Sequence, residues 1–419
     1  MQNIKFYLFI FFFILCLKTW SQPCFKNGLS FHNQASIDSF IINFPFCTEV
    51  ESILISGDDI VDLSPLINIR KVTNSISFSG CPNLVSLNGL NNIDSIGETL
   101  RISNCNKIKS LNGFSTLKSL KSIVIMFNEG LESLLNNVNI TLNEMKTIYI
   151  QSNPNLAAIT GFDSLKYITK ELVIVNNPKV KTFLGFKNIK RIFTFQVGGM
   201  NIENFKGLEN LDYVIEVYID DCSIKSFDYF SIDTLQWLTL KHIDFDPNIS
   251  GFSNFPFIKR AWIFENNMNI YSLDAFRNLQ FSNACTINCH YNNELSFCHI
   301  ANICENISKY GQYGHSSFYE NAIGCNHWIE VRDQCTTPTI DLDNSTSNVT
   351  YISQSIVNDH LSLYTTRKQK GKIVSVTGSL LKTFELNSEL TEIDVSPLRA
   401  GMYFILLEKD HCIKFILSK

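Results

Sequence analysis

ISFSGCPNLVSLNGL, Ile76 to Leu90, returns 24 positions later as LRISNCNKIKSLNGF, Leu100 to Phe114. Self-similarity at that period marks a solenoid, in which each coil buries its apolar edge only against its neighbours. A short alternating apolar triplet recurs along the chain. Its last inward residue falls at Ile55, Phe78, Ile102, Ile125, Ile150, Ile174, Val197, Ile219, Leu240, Phe264 and Cys289, with gaps of 21 to 25 residues. Insertions in the turns account for the drift. The mark itself keeps register because a slip of one residue would turn the inward set outward.

Three positions past each mark stands a second column: Asp58, Cys81, Cys105, Asn128, Asn153, Asn177, Met200, Cys222, Ile243, Asn267 and Asn292. A buried Asn at a turn can bond backbone groups of its own loop and of the next coil. Cys fits the slot as a small, weakly polar residue. Six and nine past the mark come spaced apolar residues such as Leu84 and Leu87. Then follow Gly89-Leu90, Gly113-Phe114, Gly161-Phe162, Gly185-Phe186 and Gly207-Leu208, glycines expected where a corner needs a positive φ. This order resembles the leucine-rich repeat, and turns such as Asn176-Asn177-Pro178 make it more similar to the receptor L-domain. The resemblance covers 49–298. It implies a mainly β, right-handed β-helix-like leucine-rich-repeat solenoid of about eleven coils. Met200 and Ile243 break the Asn column, so irregular loops are expected around Phe195 and Leu240.

Lys5, the apolar run Phe6 to Leu17 and the polar Thr19 to Gln22 describe a secretory signal peptide over 1–21, too short to span a bilayer. Leu15 stands before Cys16 where a lipoprotein anchor needs a small residue. Losing Lys5 and Lys18 leaves 33 bases against 39 acids, a formal charge of −6, so nothing suggests nucleic acid or an anionic membrane as partner. No later run reaches spanning length, and the mature chain is expected to carry no membrane span. Thirteen cysteines suit an oxidising compartment.

Cys24 and Cys47 flank a short amphipathic helix, Ala35 to Phe40, in an N-terminal cap at 22–48. Cysteines at 285, 289, 298, 304, 325 and 335 cluster after the last coil, among His290, His299, His315 and His327. Only Cys285 and Cys289 approach zinc-like spacing, so an exported chain favours disulfides over metal, and no cofactor is implied. CHIANIC with NAIGCNHWIEVRDQC resembles the C-terminal cap of bacterial secreted leucine-rich-repeat proteins, here 299–335. That resemblance implies the local pairs Cys298–Cys304 and Cys325–Cys335. Cys81 and Cys105 read as reduced ladder residues rather than a bridge; Cys222 and Cys412 have no obvious mate.

Residues 336–350, TTPTIDLDNSTSNVT, form a polar linker. Six short alternating strands then fill 351–419 and argue for a small antiparallel β-sandwich. Asn358 to Leu361, Thr377-Gly378, the run Ile393 to Phe404 (with Asp394, Ser396, Leu398, Gly401 and Tyr403) and Lys414-Phe415-Ile416 resemble the C-terminal sorting domain of the type IX secretion system. Ser353-Gln354-Ser355 stands where that family has Pro-Asn-Pro. The resemblance implies handling by the type IX machinery and a secreted or cell-surface protein.

No catalytic signature is present: neither a G-x-S-x-G elbow, an H-E-x-x-H pair nor a phosphate-cradling loop. Asp58-Asp59 and Asp220-Asp221 read as solvated pairs. Strand residues between the inward ones face solvent on the parallel sheet. Along that face Val124, Met126, Tyr149, Gln151, Val173 and Val175, with Tyr218 beyond, form the candidate binding surface. β-branched residues also suit any sheet face for pairing reasons alone. The expectation is a non-enzymatic binding or adhesion protein for a protein or glycan. Its rivals are a polysaccharide-active enzyme on a β-helix, set aside here because Arg101, Asp220 and Lys241 lie on separate coils, and a self-associating surface component.

Overall fold

The structure is a computed structural model. It describes residues 24–419 apart from 136–141, 231, 251–255, 284, 311–315, 337–349, 353–355, 358, 366–367, 387–388, 408–411 and 418–419. The signal-peptide reading, and nearly all of the linker reading, fall outside the described residues. The chain divides into two compact units, residues 1–337 and 338–419.

The first unit is a parallel β-solenoid. Its main sheet stacks thirteen strands in chain order, from Leu29–Phe31 to Ser316–Tyr319. All eleven marks pair in one inward row, Ile55 against Phe78, Phe78 against Ile102, and so on to Phe264 against Cys289. The row also runs one strand further at each end, to Phe31 and Phe318. The coiled region therefore continues past residue 298, into the segment expected to be cap alone. Among the described residues the core is one continuous apolar cluster from Phe31 to Val331. In the later coils it becomes an aromatic spine, with Phe183, Phe205 and Phe227 stacked 5.5 Å apart.

What permits the stacking sits just after each strand. Two residues past the mark the backbone is left-handed in coil after coil, at Gly80, Asn104, Phe127, Ser152, Asn176, Gly199, Asp221, His242, Asn266, Tyr291 and Glu320. The next residue is the buried Asn. Asn153 Oδ1 accepts the amide of Asn128 at 3.1 Å, while its Nδ2 donates to Ile125 O at 3.3 Å and Gln151 O at 3.0 Å. Asn177 repeats this on Asn153, and Asn267, Asn292 and Asn321 form a second run. Each carboxamide thus satisfies buried backbone groups of two coils that would otherwise be orphaned.

Where Met200, Cys222 and Ile243 interrupt the column, the described residues form strands in place of the expected irregular loops. The strands lengthen instead, to Arg191–Ile202 and Tyr213–Ser226, and Asp244–Ser250 adds a further one. Met200 pairs with Cys222 and Ile202 with Ile224, so backbone bonds to backbone where no side-chain amide can. The corner glycines also divide in two. Gly89 and Gly207 take φ of 105° and 104°. Gly113 and Gly185 do not; there a Cβ would strike the carbonyls of Leu87 and Ile159 on the preceding coil.

Helix α1, Gln34–Asn43, covers the first coil with Ile37 and Phe40, and Asn33 Oδ1 caps it by accepting Ser36 N at 2.9 Å. The Cys24–Cys47 disulfide closes this cap. At the far end lie α2, Ala301–Tyr310, and α3, Trp328–Thr336. The bridges are Cys298–Cys325 and Cys304–Cys335, not the local pairs Cys298–Cys304 and Cys325–Cys335. The reason is topological: Cys298 and Cys325 are both fully buried at the end of the core, whereas Cys304 and Cys335 lie on the two helices and join them. Cys81, Cys105, Cys222, Cys285 and Cys289 are free and buried. Burial holds the Cys222 and Cys285 thiols up at about 12.

The second unit packs a three-stranded sheet and a five-stranded sheet around Leu361, Leu363, Ile373, Ile393, Ile405 and Phe415. Pairing is antiparallel except where Ile356–Val357 runs parallel to Cys412–Leu417. Among the described residues that makes eight strands rather than six, the additions being the short Thr350–Ile352 and Ile356–Val357.

Two outcomes test this account. Asn153→Ala strips partners from buried amides and carbonyls on neighbouring coils, so chemical denaturation should show a loss of about 2 kcal/mol or more. Glu98→Ala, which removes only the exposed Lys121 pair, should change stability by less than about 0.5 kcal/mol. Alkylation under denaturing, non-reducing conditions should label the five free core thiols and leave Cys24, Cys47, Cys298, Cys304, Cys325 and Cys335 blocked; peptide mapping should join 298 to 325 and 304 to 335.

Candidate functional site: the outer face of the solenoid sheet

Register aligns the outward residues into straight columns. One runs Ser77, Arg101, Val124, Tyr149, Val173, Gln196, Tyr218, Thr239, Ile263. Beside it runs Ser79, Ser103, Met126, Gln151, Val175, Gly198, Asp220, Lys241, Glu265, His290, Tyr319. Of the candidate residues, Val124, Tyr149, Val173 and Tyr218 fall in the first column and Met126, Gln151 and Val175 in the second. Six of them are half-buried and present some surface. Val173 does not: it is 4% exposed, with the longer Tyr149 and Gln196 on the coils either side. Tyr149 donates its hydroxyl to Gln151 Oε1 at 2.7 Å, fixing the ring along the face.

Phe127, next to Met126 in the turn that follows the strand, is a further exposed apolar residue that the sequence pattern did not single out. It is 45% exposed, follows Met126, and holds φ of 56°. A bulky residue in the left-handed region is an outlier, costing about 1–2 kcal/mol that Asn or Gly would avoid. The signal was in its column, where Asn104, Asn176 and Asn266 take the same turn.

The later coils carry a polar network, and here the structure revises the sequence argument. Asp220, Lys241, Glu265 and His290 are on separate coils yet consecutive in one column. Tyr218 OH donates to Asp220 Oδ2 at 3.0 Å, and His242 Nδ1 lies 2.7 Å from Asp220 Oδ1. Lys241 Nζ bonds Glu265 Oε2 at 2.7 Å. His290 places Nδ1 3.4 Å from Glu265 Oε1 and Nε2 2.8 Å from Ser317 Oγ, and its ring stacks 3.7 Å from Tyr319. Burial, then the Asp220 bond, raises the Tyr218 hydroxyl pKa; the Glu265 bond raises that of Lys241. His290 thus meets a hydroxyl through Nε2 and a carboxylate through Nδ1, while the Glu265 bond holds Lys241 protonated.

In the second unit the sorting-motif residues build a turn. Asp394 Oδ1 accepts Ser396 N at 2.9 Å, and bonds from Ser396 hold its carboxyl below the usual range. Leu398 N donates to Val395 O at 3.0 Å, and Gly401 opens strand Gly401–Leu407. Tyr403 donates to Arg399 O at 2.6 Å while its ring stacks on Phe415. Arg399 and Ala400 are left exposed at the tip.

Residues 354–417 match the secretion system C-terminal sorting domain family. No curated protein matches the chain. The sorting domain marks an exported protein, secreted or held at the cell surface and handled by the type IX machinery. Among the described residues no helix is long and apolar enough to cross a membrane.

His290 supplies a pH test. Burial lowers its pKa from about 6.5, with Glu265 opposing, so the fold prefers neutral imidazole. The unfolded chain therefore binds the proton first, and this group's stabilisation, present above about pH 6.5, is lost as pH falls below it. Thermal melts at about pH 7.5 and 5.5 should differ less in His290→Asn than in the parent protein.

Proposed function

We propose that this exported protein is a non-enzymatic binding or adhesion protein that recognises an extracellular protein or glycan with the outer face of its solenoid sheet. The observation that carries this reading is Phe127. An aromatic ring stands exposed at a position where Asn would relieve the backbone, directly after Met126 on the strand that also carries the half-buried Val124. Exposed apolar patches commonly mark interaction sites, and costly backbone conformations cluster at functional sites.

Phe127→Asn separates contact from structure. If the ring serves a partner, the variant should melt at the same temperature or higher, because Asn tolerates the left-handed turn. Binding of the labelled full-length secreted protein to arrayed extracellular glycans and surface proteins should fall by at least about tenfold, the loss of about 1.4 kcal/mol. Val173→Ser is unsuitable as a surface probe because that side chain is buried. A lower melting temperature with unchanged binding would assign Phe127 to packing and refute the reading.

A further inference from the structure

A second feature of the sheet face, on later coils, is a bulge with unneutralised charge. Leu235 pairs with Ile258 and Trp237 with Ala261, so Lys259 and Arg260 stand opposite the single residue Gln236. The same offset occurs in strand Tyr167–Val175, where Thr169 and Lys170 form the extra pair before Glu171. There Lys170 reaches Glu171 at 2.8 Å. Glu171 and Ala261 belong to one outward column: Glu171, Thr194, Glu216, Trp237, Ala261, Thr286. At the second bulge, then, the acid is replaced by a methyl group and the bulge carries two cations instead of one.

Beside this bulge lies an open depression of about 730 Å³ lined by Gln236, Trp237, Lys259, Arg260, Ala261 and Thr286. Arg260 is oriented within it. Its Nε donates to Gln236 Oε1 at 2.8 Å and its guanidinium lies 5.1 Å from the Trp237 ring centroid. Among the described residues neither Lys259 nor Arg260 has a carboxylate within ion-pair distance, whereas Lys170 has Glu171. Bulges re-aim side chains and recur beside functional sites.

We propose that this hollow binds an anionic saccharide. Arg260, stacked on Trp237, and Lys259 take its carboxylate or sulfate, the edge of the indole borders the pyranose ring, and Gln236 Nε2 and Thr286 offer bonds to hydroxyls. A guanidinium fork matches either anion bidentately. A peptide adding as a strand has no place here, since both flanking strands are interior and already paired on each side. The site rests on the reading that this face meets an extracellular partner, but it is separate from Phe127 in both residues and coils.

The test uses the purified full-length secreted protein and calorimetric titration with four probes: tetragalacturonate, a sulfated galactan oligosaccharide, maltotetraose and an acidic hexapeptide of glutamate. The expected result is binding of one or both anionic saccharides, weakened at about 0.5 M salt, and none of maltotetraose or the peptide. Lys259→Ala with Arg260→Ala should lose at least about tenfold in affinity. Ala261→Glu should do the same with both cations still present, by restoring the acid found at Glu171; it guards against misfolding of the double variant. Phe127→Asn should leave this binding unchanged, so failure here and failure of the apolar patch are told apart. Heat from maltotetraose or the peptide equal to that from the anionic saccharides, no binding of either anionic probe at about 5 mM, or full affinity in Ala261→Glu would overturn the assignment.

Discussion

Each coil of this solenoid turns through a left-handed residue directly after its sheet strand, and that turn strands backbone amides and carbonyls inside the molecule. Everything else depends on satisfying them. An Asn three past the mark does so with one carboxamide, accepting an amide from the coil below while donating to carbonyls of its own turn and of that coil. An unpaired buried amide costs about 1–3 kcal/mol, so each Asn removes a penalty comparable with the gain from burying one core side chain, about 1.5–3 kcal/mol. Where Asn gives way to Met200, Cys222 and Ile243, the chain meets the same demand by extending the strands and pairing backbone with backbone. The solution changes; the constraint does not.

A stack held this way is a rigid sheet, and rigidity makes its outer columns useful. Register carries Val124 onto Tyr149 and Asp220 onto Lys241 without reference to their chemistry, so residues far apart in sequence become neighbours at strand spacing, about 4.8 Å. Apolar and polar zones then follow one another along a single face. The bulges at Lys170 and at Lys259-Arg260 are local departures from the pairing that push side chains off the regular columns. One is neutralised by its neighbouring acid and the other is not. Export is the separate task of the second unit, whose motif residues stiffen an exposed turn through Asp394, Ser396 and Tyr403.

Period, inward row, Asn column and sorting motif were legible in the sequence because each depends on a residue type recurring at fixed spacing: apolar at the mark, Asn three further on, the Asp-Val-Ser to Gly-Met-Tyr-Phe run near the end. Physical chemistry forces those choices locally, so the string records them. Disulfide pairing, the burial of Val173, the outward Phe127 and the alignment of Asp220 with His290 were settled only in three dimensions. Cys298 finds Cys325 because a further coil and a helix intervene in the chain but not in space. Val173 is hidden by neighbours contributed from other coils. Such features belong to pairs of residues whose separation varies with every turn insertion, and only the stacking of the coils fixes which of them meet.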